Sequence, residues 1–218
     1  MTEHEFRIKT WVLGMVSTNC YLVYNDKTRK GVIIDPADNG EYLIRKLEEL
    51  GIAPEAVLLT HGHFDHILAV KELQAQYNCP VYAGKEEDAL LQDASLNLSG
   101  TMGTDHLSVS ADELVRDGQT LELAGFTWKV LETPGHTRGS VCYYIPGEDV
   151  LVSGDTLFAE SLGRTDLPTG SMREIISSIT GKLLVLPEDT MVYPGHGDPT
   201  TIGHEKQYNP VAVYRGRR

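Results

Sequence analysis

Short apolar runs punctuated by Gly, Pro, Asp and Asn dominate this chain, a pattern that predicts strands joined by tight turns. Phe6 to Leu13 and Cys20 to Tyr24 are β-rich, and Val32 to Ile34 predicts a short buried strand ending at Asp35-Pro36. The period then changes. Leu43, Leu47 and Leu50 fall on one helical face, with Asp38 or Asn39 as N-cap and Gly51 as the stop. Val57 to Leu59 predicts another buried strand, and the stripe of Ile67, Val70 and Tyr77 a helix starting near Asp65. A short strand at Val81-Tyr82 and a short helix from Lys85 to Leu91 follow. Small polar residues from Asp93 to Ser110, with Gly100 and Gly103, predict a long loop.

The second half repeats the manner of the first. Leu121 to Leu123, Phe126 to Leu131, Val141 to Ile145 and Val150 to Ser153 predict strands. Ser171-Met172-Arg173-Glu174 reads as a capping box opening a helix that turns Ile175, Ile176, Ile179 and Leu183 inward. Met191 to Tyr193 predicts a late strand and Thr200 the start of a short helix. Two rounds of strands and helices with no low-complexity linker predict one α/β domain over residues 1–218, with two sheets packed together and helices outside.

Composition removes several classes. With 41% hydrophobic and 23% charged residues the chain is not disordered, collagen-like or a coiled coil. No apolar run approaches the roughly 18 residues of a membrane span, and MTEHEFRIKT lacks the layout of a secretory signal. Cys20, Cys79 and Cys142 are odd in number and lie in apolar contexts, so buried thiols in a reducing cytoplasm are expected. A net charge of −12, from 19 Lys+Arg against 31 Asp+Glu, repels nucleic acid and anionic membranes. The basic cluster Arg215, Arg217 and Arg218 reads as a frayed tail.

The sharpest chemistry lies in Thr60-His61-Gly62-His63-Phe64-Asp65-His66, between a buried strand and a helix. His61 and His63, two apart in extended backbone, point to the same side. Asp65 and His66 fall where the chain turns into the helix and diverge toward a neighbouring point. Such a cluster has too many ligands for one metal and too few for two, so further ligands are expected at other strand ends. His136 in Pro134-Gly135-His136, Asp155 in Gly154-Asp155-Thr156 and His196 in Pro194-Gly195-His196 fit, each in a Gly-flanked turn just after a strand.

The order of these motifs resembles the metallo-β-lactamase superfamily over most of the chain. The resemblance implies a four-layer αβ/βα sandwich with a two-metal site at one edge of its paired sheets. Carried over by residue, His61, His63 and His136 hold the first metal. Asp65, His66 and His196 hold the second, and Asp155 bridges both. Nitrogen and oxygen ligands suit two divalent ions, zinc foremost, with iron or manganese as alternatives. In such sites the metals lie about 3.5–4 Å apart; a bridging hydroxide attacks a carbonyl that one metal polarises. Asp65 orients that hydroxide besides binding metal. Thr60 and Asp35 are candidate partners for the second nitrogen of the metal-bound histidines, although Asp35 equally fits a strand-end turn.

Within the superfamily, Ser153 to Asp166 (SGDTLFAESLGRTD) resembles glyoxalase II and its small bacterial relatives, as does the tail of Thr200-Thr201-Ile202-Gly203 and Glu205-Lys206. The implied activity is hydrolysis of a small-molecule thioester. A basic residue at the Arg164 position helps bind the glutathione part of the substrate in that branch, so an anionic substrate is expected. Asp166 replaces the tyrosine of glyoxalase II, and the chain ends before the helical segment that completes the glutathione pocket there. Persulfide dioxygenases, with one iron on the same scaffold, share the Gly163-Arg164-Thr165-Asp166 pattern and supply the alternative reading. A non-catalytic metal-binding protein and a nuclease rank below both. His4, His106 and His204 read as surface residues and Trp11 and Trp128 as packing. Phe158 and Leu162 fit either the acyl pocket or the core.

Overall fold

The computed structural model describes residues 5–101 and 106–214. His4, Gly103 and the three C-terminal arginines lie outside them. The first sheet joins β1 (Phe6–Leu13), β2 (Thr18–Asn25), β3 (Lys30–Ile34), β4 (Ala53–Leu58), β5 (Val81–Gly84) and β6 (Glu113–Val115) in that order. β1 to β3 pair antiparallel, and β3 to β6 are parallel. Parallel neighbours need crossovers, supplied here by α1 (Gly40–Leu50), by α2 (Phe64–Ile67) with α3 (Val70–Tyr77), and by a 3-10 turn (Lys85–Glu87) running into α4 (Asp88–Gln92).

The second half supplies β7 (Thr120–Leu123), β8 (Phe126–Glu132), β9 (Val141–Ile145) and β10 (Val150–Gly154), then a small hairpin of β11 (Leu157–Phe158) and β12 (Ser161–Leu162). After α5 (Met172–Ser178) come β13 (Met191–Pro194), β14 (Thr200–Thr201), α6 (Ile202–Tyr208) and α7 (Pro210–Tyr214). The second sheet runs β14-β13-β10-β9-β8-β7, with β10 and β13 parallel.

Strand alternation explains the layers. Cys20, Leu22 and Tyr24 of β2 point to a core shared with Leu43, Leu47, Val70 and Leu73 of α1 and α3. Tyr21 and Val23 point the other way, into a core between the sheets with Trp128, Val130, Tyr143 and Val152. On the far face, Cys142, Tyr144 and Leu151 pack on Ile175, Ile179, Leu183 and Ile202. Covered on both faces, β2 is buried along its whole length. The result is the expected four-layer αβ/βα sandwich. Trp128, fully buried between the sheets, is packing as expected; truncating such a side chain costs about 3–5 kcal/mol.

Two local expectations need correction. The helix expected from Asp65 to Tyr77 is broken at Leu68-Ala69, because the Ala69 amide donates to the Pro36 carbonyl at 3.0 Å instead of continuing the helical ladder. The capping box is half formed: Ser171 Oγ accepts from the Glu174 amide at 3.3 Å, but the Ser171 amide is taken by the Gly135 carbonyl. Cys20, Cys79 and Cys142 are buried free thiols. Among the described residues no helix is long and apolar enough to cross a membrane.

Candidate metal centre

The C-terminal ends of four strands bring the motif residues together. β4 leads into His61, His63, Asp65 and His66, β8 into His136, β10 into Asp155 and β13 into His196. Gly195 has to be glycine here, since a Cβ would lie 2.1 Å from Asp155 Oδ1. The structure thus brings together every residue expected to hold metal. Three groups have ligand atoms within 4.8 Å of one another: His61, His63 and His136; Asp65, His66 and His196; and His61, His66 and Asp155. The third group joins members of the first two through Asp155. Its Oδ1 lies 3.5 Å from His66 Nε2, and its Oδ2 3.5 Å from both His136 Nε2 and His196 Nε2.

Outer partners orient these rings. Asp35, in left-handed backbone at φ 49°, accepts from the Thr60 amide at 2.8 Å, the Thr60 hydroxyl at 2.6 Å and His66 Nδ1 at 2.9 Å. The Thr60 hydroxyl gives its proton to Asp35, so at 3.1 Å it accepts from His61 Nδ1. His136 Nδ1 donates to the Arg164 carbonyl at 2.8 Å. That leaves Nε2 of all three rings facing the cluster, as the lone-pair nitrogen in His61 and His136 and, once a metal displaces its proton, in His66. Thr60 and Asp35 therefore act as the expected partners.

The charge pattern and the donor set fit cations. His61 Nε2, His63 Nε2, His66 Nε2 and Asp155 Oδ1 are buried without a hydrogen-bond partner, at about 1–3 kcal/mol each if nothing satisfies them. Burial and the neighbouring His136 push His63 down to about 3, and burial with the surrounding imidazoles pushes His61 well below its ordinary value. Both are neutral, as ligation requires. Although burial opposes it, Asp65, Asp35 and Asp155 raise His66 to about 9, and Asp155 and Asp65 raise His196 to about 10. Burial likewise opposes ionisation of Asp155, yet His66, His196 and His136 hold it at about 2. The carboxylates thus demand positive charge, which protons or metal ions can supply.

A cleft of about 290 Å³ opens over the cluster, with Val16, Phe64, Leu98 and Leu167 as apolar wall and Thr101 and Arg164 beside them. The guanidinium of Arg164 is engaged by Asp166, through Nε at 2.7 Å and Nη2 at 2.8 Å. Phe158 meets the His196 ring edge-on at 6.3 Å, and Leu162 packs on the outer core. His106 is exposed, and His204 pairs with Glu160 at 3.0 Å.

Sequence reasoning missed the struts of β2. Thr18 Oγ1 donates to Asp65 Oδ2, Asn19 Nδ2 to the Pro194 and Gly197 carbonyls at 2.9 Å, and the Tyr21 hydroxyl to the Pro194 carbonyl at 2.6 Å. The available signal was two polar residues opening an otherwise apolar strand, since buried polar groups need partners. Buried Glu87 was also missed.

The metallo-beta-lactamase superfamily sequence model matches residues 13–196. "Probable metallo-hydrolase YqgX" of Bacillus subtilis (strain 168) is 40% identical over 91% of this chain and 93% of its own length. "Hydroxyacylglutathione hydrolase GloC" of Haemophilus influenzae (strain ATCC 51907 / DSM 11121 / KW20 / Rd) is 36% identical over 88% and 91%. Among solved structures, BLEG-1 B3 metallo-beta-lactamase superposes with TM-score 0.89 at 43% identity, covering 94% of this chain and 98% of its own. TTHA1623 in a di-iron-bound form gives 0.82 at 36%, covering 93% and 98%. ETHE1 from Myxococcus xanthus gives 0.77 at 30%, covering 94% and 83%. Sequence, fold and site agree: the chain belongs to the metallo-beta-lactamase superfamily.

Proposed function

We propose that this metal-dependent hydrolase of the superfamily holds two divalent ions and cleaves a thioester. The observation that carries the reading is the junction of the three donor groups at Asp155. His61, His63 and His136 would hold one ion, Asp65, His66 and His196 the other, and Asp155 both. The 36% identity to GloC supports a thioester as substrate. The likeness to a di-iron structure keeps iron beside zinc as the ion.

When bound, the ions supply Lewis acidity at the acyl oxygen and acidify the attacking water. The chain's residues do the rest. Asp65, fixed by Thr18, would accept a hydrogen bond from the attacking water and orient it. Val16, Phe64, Leu98 and Leu167 exclude bulk water and seat the apolar part of the substrate. Water oxygen bonds to the acyl carbon, the carbon–sulfur bond breaks, and the thiol leaves with a proton. Arg164, at the rim, would meet an anionic group of the carrier by exchanging Asp166 for it.

The test is elemental analysis of protein purified without chelator, joined to a thioester panel. Two equivalents of metal with thioester turnover are expected; metal-replete protein inert toward every thioester overturns the reading. The Gly163 to Asp166 pattern favours a second reading, a mononuclear-iron persulfide dioxygenase, whose signature would be one iron per chain and dioxygen uptake with a persulfide.

A further inference from the structure

Glu87 closes the 3-10 turn before α4 and is fully buried, unlike exposed Glu86 beside it. Its carboxylate spans two loops. Oε1 accepts from the amide of Gly62, the residue between His61 and His63, at 2.8 Å. Oε2 accepts from the Thr137 hydroxyl and the Gly139 amide, both at 2.9 Å, and Thr137 directly follows His136. One loop leaves β4 of the first sheet and the other leaves β8 of the second. The seam is tight: a Cβ on Gly139 would lie 2.2 Å from the Glu87 nitrogen. The Val141 amide, bonded to the Thr60 carbonyl at 2.8 Å, adds a second tie between the same two segments.

We infer that Glu87 is a positioning residue that locks the loop of His61 and His63 against the loop of His136, so that their imidazoles converge on one cation. Only a carboxylate offers acceptors on both sides. Glutamine would turn its NH2 toward either Gly62 or the pair of Thr137 and Gly139, and donor would face donor. The Glu87 carboxylate bonds to Gly62, Thr137 and Gly139 and to none of the candidate ligands, so its effect is confined to the geometry of one donor group. The inference rests on the reading of these histidines as metal ligands.

The test compares wild type, Glu87→Gln, Glu86→Gln and Thr137→Val. Cobalt(II) is titrated into metal-free protein, with absorption spectra recorded at each equivalent. His136→Ala and His196→Ala supply the spectra of protein lacking one or the other site. Glu87→Gln is expected to keep the circular dichroism of wild type and to lose affinity for one equivalent by about 10- to 100-fold. The weakened equivalent should be the one absent in His136→Ala. Glu86→Gln should match wild type, and Thr137→Val should weaken the same equivalent less. If Glu87→Gln fails to fold, Thr137→Val decides: selective weakening supports the inference, and wild-type affinity overturns it. Glu87→Gln with wild-type affinity for both equivalents, or with both weakened equally, also overturns it. Wild type that takes up no cobalt overturns the metal reading itself, and this inference with it.

Discussion

The Thr18 hydroxyl donates a 2.7 Å hydrogen bond to Oδ2 of Asp65, tying the first residue of β2 to a carboxylate 47 positions away. Burial resists ionisation of Asp65, but His66, His196 and this hydroxyl together hold its carboxyl below the usual range. Thr18→Val keeps the shape and removes the donor. A hydrogen bond to a charged group is worth about 1.5–3 kcal/mol, so kcat/KM should fall about 10- to 100-fold. Metal content should stay at the wild-type value. Steady-state kinetics beside elemental analysis reads both; unchanged kcat/KM would show that Thr18 does not set the Asp65 carboxylate.

Asp155 touches both donor groups, and His136 belongs to one. Asp155→Ala should therefore weaken both metal equivalents and abolish hydrolysis, while His136→Ala weakens one. Retention of both ions and most activity in Asp155→Ala would remove it from the bridging position.

Chelation should lower thermal stability, because ions that bind only the folded chain stabilise it by mass action. Free metal at 100-fold its dissociation constant contributes about 2.7 kcal/mol, which for a domain of this size is about 5–10 °C in Tm. Melts with and without chelator measure it, and equal melting temperatures would argue against structural coupling of metal to fold.

Burial pushes the Glu87 carboxyl up to about 7 from 4.5, against the pull of Gly62, Thr137 and Gly139. Between about 4.5 and about 7 the folded chain thus keeps a proton that the unfolded chain has released, and only above about 7 does the ionised carboxylate accept from both loops. The stabilising contribution of that proton is complete below about 4.5 and is lost as pH rises through about 7. The stability of metal-free wild type relative to Glu87→Gln should fall by about 3 kcal/mol across that window. Denaturant melts of both proteins at several pH values isolate Glu87; a pH-independent difference contradicts the assignment.

Exposed ion pairs are weak, so on the proposed reading a substrate carboxylate would displace Asp166 from Arg164. Asp166→Ala should raise the preference for a carboxylate-bearing thioester over its neutral amide, and Arg164→Ala should erase that preference. Identical acid-to-amide ratios in kcat/KM for all three proteins would show that this pair does not read substrate charge.

The candidate metal-ligating residues were legible in the sequence because ligation demands particular side chains at strand ends, and chemistry that strict leaves a spaced trace. The sheets were legible through apolar runs bounded by turn residues. Glu87 was hidden because Lys85-Glu86-Glu87-Asp88 reads as a solvated run, and only the fold turns one of its carboxylates inward. The break at Ala69 was equally silent: the bond that ends α2 comes from Pro36, more than thirty positions away. The Arg164 to Asp166 pairing is local, two positions apart, whereas the bond from His136 to the Arg164 carbonyl needed the fold to be seen.

Asn19 reaches the Pro194 carbonyl across 175 positions, and Thr18 bridges to His196 itself. A ribosome releases His61, His63 and His66 long before it makes His196, with roughly ten seconds of synthesis between them. Throughout that interval the nascent chain displays histidines that can capture metal without the geometry to use it. Closure waits for the strand that carries His196 to slot beside β10, so a chain cut short before that strand keeps its most recognisable motif and never assembles the centre.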